Sequence, residues 1–193
     1  MKILGITGGV GSGKSAVLDY LEAEYHAVIC QLDDVARMLQ QNGQVCFTKI
    51  VETFGEGVIG KNQELDRQKL SEIVFSDAKK LQQLNEIVHP EVKQWVIKDI
   101  ADKENLGVPL YVIEAALLPT AGYETICDEM WYIYTNEKVR TERLKASRGY
   151  SEERIRNMIA SQPKEEVFRK ACCAVIENSG TFEDTKKQIG ELL

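Results

Sequence analysis

One stretch near the amino terminus limits this chain more than any other: Gly8-Gly9-Val10-Gly11-Ser12-Gly13-Lys14-Ser15. It satisfies G-x-x-x-x-G-K-[ST], the P-loop pattern. The flanks are those the pattern requires. Residues 2–7 read as a short buried strand, and residues 14–24, with Val17, Leu18 and Leu21 at helical spacing, read as the helix that follows. A polyphosphate needs many donors that come close. Glycines at 8, 9, 11 and 13 leave no Cβ to hold the backbone N–H groups away from its oxygens. The helix opening near Gly13 adds its unpaired amides and a partial positive charge. Lys14 brings a full charge to the β and γ phosphates, and the Ser15 hydroxyl is a ligand for Mg²⁺. The stretch therefore reads as a nucleotide site on Gly8, Gly9, Gly11, Ser12, Gly13, Lys14, Ser15 and Ala16.

At 193 residues the chain is sized for one main core and one compact folding unit, with room for a smaller inserted element. A net charge of −6 argues against a general nucleic-acid binder, since affinity for a phosphate backbone comes from clustered Lys and Arg. The five cysteines, at 30, 46, 127, 172 and 173, include no C-x-x-C pair, and an odd count does not suit a disulfide framework. Free thiols in a reducing cytosol are the expectation. With two histidines, His26 and His89, a His-based metal site is not expected either. No run of about 18 apolar residues is present, so no membrane span is expected. The chain enters a strand after one lysine, which leaves no room for a signal peptide and points to the cytoplasm. The expected species is a monomer or weak oligomer.

The rest of the chain alternates. Ala27 to Cys30 reads as a second strand, Pro109 to Ile113 as a third ending at Glu114, Met130 to Tyr134 as a fourth, and Ala171 to Ile176 as a last short one. About five strands alternating with helices predict a parallel sheet covered on both faces. Residues 44–103 read as a mainly helical block, a natural acceptor-binding insertion, with amphipathic helices over Arg67 to Phe75 and Ala78 to Val88. Asp77 is a cap for the second of these, and His89-Pro90 is expected to interrupt it before Val92, Trp95, Val96 and Ile100 resume a helical stripe. The nucleotide-binding core is then 1–43, 104–137 and 170–193, with an Arg-rich lid over 138–169.

Acids at strand ends lie where open α/β sheets place ligands. Asp33 or Asp34, after the second strand, faces the P-loop on this reading, and one of the pair caps the next helix. Glu114 stands where a Walker-B-type acid would hold Mg²⁺ through water, or it is a capping or solvent-facing glutamate. In the lid, Lys138, Arg140, Arg143, Lys145, Arg148, Arg154 and Arg156 make a positive segment in an acidic chain. Arg140 and Arg143 share a helix face, and Arg148 sits beside Gly149 at a hinge. Phosphoryl-transfer enzymes close such arginines over the developing charge. A GTPase would carry N-K-x-D, which Asn136-Glu137-Lys138-Val139 does not supply. A short chain with a P-loop, a helical insertion and a mobile Arg-rich segment suits a small-molecule kinase. A kinase for a nucleoside, nucleotide or sugar acid, and a regulator that only binds nucleotide, stay open on the residues alone.

Several segments together resemble the dephospho-CoA kinase family. These are Ile6 through Ser15; Leu65-Asp66-Arg67, Leu70 and Ile73-Val74-Phe75; Leu84-Asn85 and His89-Pro90; Arg143-Leu144, Arg148 and Gln162; and Val175 through Gly180. The resemblance spans nearly the whole chain. It implies a P-loop kinase core, with ATP and Mg²⁺ serving phosphorylation of the ribose 3′-hydroxyl of dephospho-CoA. It implies Asp33 as the base or hydroxyl-orienting group, Arg143 and Arg148 as lid arginines, and Asn178 and Gly180 near the adenine. Arg67, His89 and Glu114 would then lie with Asp33 on the acceptor. The chain departs from the family twice. Gln31-Leu32-Asp33 keeps only the later acid of Asp-x-Asp, and Glu114-Ala115-Ala116-Leu117-Leu118 stands where Pro-Leu-Leu with a following acid is usual.

Overall fold

Lys2–Thr7 forms β1, the middle strand of a five-stranded sheet, in a computed structural model that describes all 193 residues. Lys14–Tyr25 is α1, Val28–Gln31 β2, Leu32–Leu39 α2 and Val45–Phe54 α3. Arg67–Phe75 is α4, Ala78–Asn105 α5, Leu110–Glu114 β3 and Glu129–Tyr134 β4. Glu137–Arg148 is α6, Glu152–Ala160 α7, Glu165–Ala171 α8, Ala174–Glu177 β5 and Phe182–Leu192 α9. The order across the sheet is β2-β3-β1-β4-β5, and β1 pairs in parallel with both β3 and β4, as β4 does with β5. The expected α/β architecture of about five strands is borne out. Connections leave β1 toward one edge first and the other edge later, so the carboxyl end of β1 is the topological switch point where such sheets bind ligands.

Both faces of the central strands are covered, which is why they read as nearly continuous apolar runs. On one face Leu4, Ile6, Trp131, Ile133 and Ile176 are buried with Val17, Leu18 and Leu21 of α1 and Ile189 of α9. Each such aliphatic side chain removed from water contributes roughly 1.5–3 kcal/mol. On the other face Tyr132 stacks on Phe168 of α8 at 4.8 Å between ring centroids. Leu118 of a single 3₁₀ turn, Leu118–Thr120, lies over Gly5 together with Met130.

Two compact units emerge: Met1–Cys30 with Glu104–Leu193, and Gln31–Lys103. The second unit thus takes in residues 31–43 as well as the helical block from 44 to 103. Within it, Ile59 bridges Leu65, and Asp66 caps α4 by accepting from the Gln68 and Lys69 amides at 3.1 Å each. That gives the Leu65-Asp66-Arg67 segment a local purpose, the start of a helix.

Three local expectations are corrected. Pro90 does not interrupt: α5 runs unbroken from Ala78 to Asn105. Its buried stripe, Val88, Val92 and Val96, passes straight across the proline, and packing along it offsets the roughly 3 kcal/mol that an interior proline costs. Neither Asp33 nor Asp34 caps α2. Gln31 is the cap residue, with no side-chain bond, and both aspartates lie inside the first turn, where the helix dipole favours them. The last strand begins at Ala174, because Ala171 closes α8 and Cys172 only turns the chain. Asp77, as expected, accepts from the Lys79 amide at 2.9 Å.

None of the five cysteines is joined in a disulfide. Burial pushes the Cys46 thiol up to about 11, and the Cys127 and Cys172 thiols up to about 12, so each is almost wholly protonated at neutral pH. Cys30 is buried, and Cys173 is exposed. A brief neutral-pH incubation with a thiolate-seeking reagent should label Cys173 in the folded protein and all five thiols in denaturant. Rapid native labelling at Cys46 or Cys172, read by mass spectrometry, would contradict the packing described.

Candidate active site

The P-loop leaves β1 at Thr7 and is anchored on three sides within the first unit. Glu114 closes β3 in register with Ile6 of β1, and the Ala115 amide donates to the Ile6 carbonyl at 3.3 Å. That register brings the Glu114 carboxylate to the loop's lysine: Lys14 Nζ is 3.6 Å from Glu114 Oε1, with both side chains largely buried. The same ammonium donates to the Gly8 carbonyl at 2.8 Å and to that of Gly9 at 3.5 Å. Lys14 is therefore folded over its own loop beside an acid.

Behind the loop sits a buried polar network. The Ser12 carbonyl accepts from Asn178 Nδ2 at 2.7 Å, from Thr135 Oγ1 at 2.9 Å and from Arg143 Nη1 at 3.4 Å. Thr135 also donates to the Asn178 carbonyl at 3.1 Å, and Arg143 Nη2 donates to it at 2.9 Å. Thr185 of α9 donates to Asn178 Oδ1 at 2.9 Å. Thr135, Asn178 and Thr185 are all buried. A trans peptide sends its N–H and C=O to opposite sides. Tying the Ser12 carbonyl into this network therefore aims the Gly13 N–H away from it, out of the protein's polar interior. Gly13 is held at φ 86, and a Cβ there would run into the Asn178 amide, so no other residue fits. The Ser12 hydroxyl, by contrast, is buried without any hydrogen-bond partner.

Thr135→Val keeps the shape and removes both donations. It should lower stability by about 1–3 kcal/mol, because the Ser12 and Asn178 carbonyls lose a buried partner. Chemical denaturation measures this, and an unchanged midpoint would show that the network is not structural.

The predicted residues are distributed as follows. Gly8, Gly9, Gly11, Ser12, Gly13, Lys14 and Ser15 form one loop, with the Ser15 hydroxyl and Ala16 exposed at the start of α1. Glu114 joins them through Lys14. Arg143 and Asn178 reach the loop from behind, at the Ser12 carbonyl, and Gly180 is exposed just beyond Asn178. Arg148 ends α6, exposed, with its guanidinium 5.9 Å from the Tyr150 ring centroid. Asp33, Arg67 and His89 belong to the second unit, all exposed: Asp33 two residues past β2, Arg67 at the start of α4, His89 within α5. The sequence pattern assigned no role to Thr135 or Thr185 and offered Arg140 as one of the lid's arginines, on the helix face of Arg143, rather than as a group that grips the loop. The signals were faint: a threonine just after an apolar strand, and a threonine one turn from Ile189 on the buried side of α9.

Magnesium takes oxygen ligands and keeps several waters, so it is held by one or two protein oxygens plus substrate phosphates. The Ser15 hydroxyl and Glu114 carboxylate are donors of that kind. No group of three or more His, Cys, Asp or Glu side chains gathers elsewhere. The donor set fits Mg²⁺ arriving with a nucleotide.

Comparison with known proteins agrees with this anatomy. The family model described as CoaE, dephospho-CoA kinase, matches residues 2–184. A Carboxydothermus hydrogenoformans protein named dephospho-CoA kinase is 36% identical over 100% of this chain and 93% of its own length. One of that name from Bacillus licheniformis is 35% identical over 99% of this chain and 94% of its own. A crystal structure from Thermus thermophilus, 31% identical, superposes with a TM-score of 0.83 over 99% of this chain and 95% of that one. A glycine loop ending in Lys14-Ser15 at the carboxyl end of the central strand, within a chain matched almost end to end, places the protein in one group: it belongs to the dephospho-CoA kinase family.

Proposed function

We propose that the chain transfers the terminal phosphoryl group of ATP to the ribose 3′-hydroxyl of dephospho-CoA, giving coenzyme A and ADP, in the cytoplasm and as a monomer or weak oligomer. The observation that carries the reading is Lys14. Its ammonium is poised beside Glu114 over the Gly8 and Gly9 carbonyls, where a β- or γ-phosphate would replace those neutral partners. Residues 8–16 cradle the triphosphate. Ser15 and Glu114 would hold Mg²⁺, which would supply positive charge to neutralise the phosphate oxygens during transfer.

Asp33 accepts a hydrogen bond from the acceptor hydroxyl. A ribose hydroxyl is too weak an acid for a carboxylate to ionise beforehand, so Asp33 orients it and takes its proton late, as suits a loose transition state. Arg67, His89 and Glu114 serve the acceptor. Asn178 and Gly180 line the nucleotide's adenine side. Arg148 stabilises the transferring group as the 138–169 segment closes and excludes water, while Arg143, held on the Ser12 and Asn178 carbonyls behind the loop, serves transfer by keeping the loop in shape rather than by closing over the phosphoryl group. No helix is long and apolar enough to cross a membrane.

Incubation with ATP, Mg²⁺ and a panel of acceptors tests the reading. Phosphate appearing at the 3′ position of dephospho-CoA is the expected result. Transfer to a nucleoside, nucleotide or sugar acid instead, or ATP binding with no transfer to any acceptor, would overturn it.

A further inference from the structure

Arg140 and Gln162 make contacts that none of the roles above uses. Arg140 lies on the same face of α6 as Arg143, one turn earlier, and its Nε donates to the Val10 carbonyl at 2.8 Å. Its Nη2 donates to Gln162 Oε1 at 2.6 Å. Gln162, in the connection between α7 and α8, also accepts from the Val10 amide on that same oxygen at 3.2 Å. The three residues close a hydrogen-bonded ring that takes up both main-chain polar groups of Val10. The guanidinium is substantially desolvated, which holds it below the usual arginine range. A side chain at Gly9 would press on this ring, although its backbone is not in the left-handed region. A Cβ on it would meet the Gln162 Oε1 at 2.8 Å and the Arg140 guanidinium.

The consequence follows from peptide geometry. Holding the Val10 carbonyl toward α6 sends the next N–H, that of Gly11, to the opposite side, since every peptide here is trans. Arg143 does the same one step further on, holding the Ser12 carbonyl and so directing the Gly13 N–H. Two arginines at i and i+3 on one helix thus fix alternate carbonyls of the loop and turn alternate amides the other way. Arg140 differs in one respect. Through Gln162 its grip is shared with the α7–α8 connection, so the loop's shape is tied to the position of that segment.

We infer that Arg140 and Gln162 are positioning residues for phosphoryl transfer, which aim the Gly11 amide by gripping Val10 and couple the loop to the α7–α8 connection. This rests on the kinase reading above. A preorganised donor costs no rearrangement when charge develops, so misaiming one is felt in the chemical step. The Gln162 role needs only an acceptor oxygen, which glutamate also provides and methionine does not.

Steady-state kinetics on folded variants test it. Arg140→Met and Gln162→Met should each lower kcat by about tenfold or more, with KM for dephospho-CoA little changed. Gln162→Glu should retain kcat to within a few fold, even if its added charge raises KM for ATP. The double methionine variant should be no slower than the slower single, because a ring broken once is broken. Unchanged kcat in both single variants, independent multiplying losses, or a Gln162→Glu as slow as Gln162→Met would each overturn the inference. Should the variants not fold, exchange of the Val10 amide in the unaltered protein decides: protection is expected, and exchange at the rate of an open loop overturns the ring. If the unaltered protein transfers nothing to dephospho-CoA, the kinase reading has failed; amide protection still reports on the ring.

Discussion

Lys14→Ala should lower turnover by roughly a hundredfold or more in a protein that still folds. Two effects add. The transition state loses a full positive charge at the β and γ phosphates, in a partly enclosed place where charge is poorly screened. Glu114 also loses the cation 3.6 Å from it, so its negative charge faces the incoming triphosphate without that ammonium beside it. The second effect has its own signature. Lys14→Ala combined with Glu114→Gln should bind ATP better than Lys14→Ala alone, though it stays slow. Calorimetric ATP titration and single-turnover rates separate the two. A Lys14→Ala protein with near-normal turnover would remove the premise of the phosphate site.

Asp33→Asn should cost turnover about as much, on the order of a hundredfold, for a different reason. Asparagine keeps the size of the side chain and its hydrogen-bonding reach but cannot accept the hydroxyl proton. ATP binding should be unaffected, and so should the fold: Asp33 is exposed in the first turn of α2, where it neither caps the helix nor makes the Asp34–Arg37 ion pair at 2.9 Å. Quenched-flow measurement of product per turnover, with dephospho-CoA saturating, is the direct check. Turnover within a few fold of the unaltered protein would assign the proton to another group and leave Asp33 as an ordinary dipole-facing acid.

How far the sequence could be read depended on how local each signal was. β1, α1 and α4 follow from apolar spacing and a few breakers, and they fall within a residue or so of where pattern placed them. Pro90 misled because a local rule met a nonlocal force: the buried stripe of α5 is long enough to carry the helix through one missing N–H. The Asp33-Asp34 pair misled in a milder way. Cap preference is real, but the chain leaves β2 directly into α2 at Gln31, so the cap position falls two residues earlier. Pattern put residues 31–43 with the nucleotide-binding core, whereas their contacts group them with the helical block, because contacts and not composition decide which unit a stretch joins.

The sequence by itself determined the chemistry on offer: a glycine loop able to wrap phosphate, one lysine and one serine at its end, and acids after the strands. Residue type and spacing suffice there, because the loop's donors are its own backbone and lie within eight consecutive residues. Only the tertiary structure decided what holds that loop in shape. Thr135, Arg140, Arg143, Gln162, Asn178 and Thr185 are more than a hundred residues away along the chain, and most of them grip carbonyls, which every residue possesses. A bond to a main-chain oxygen leaves no mark on its acceptor's identity, so it becomes visible only when the sheet has brought β4, α6 and α9 behind the loop.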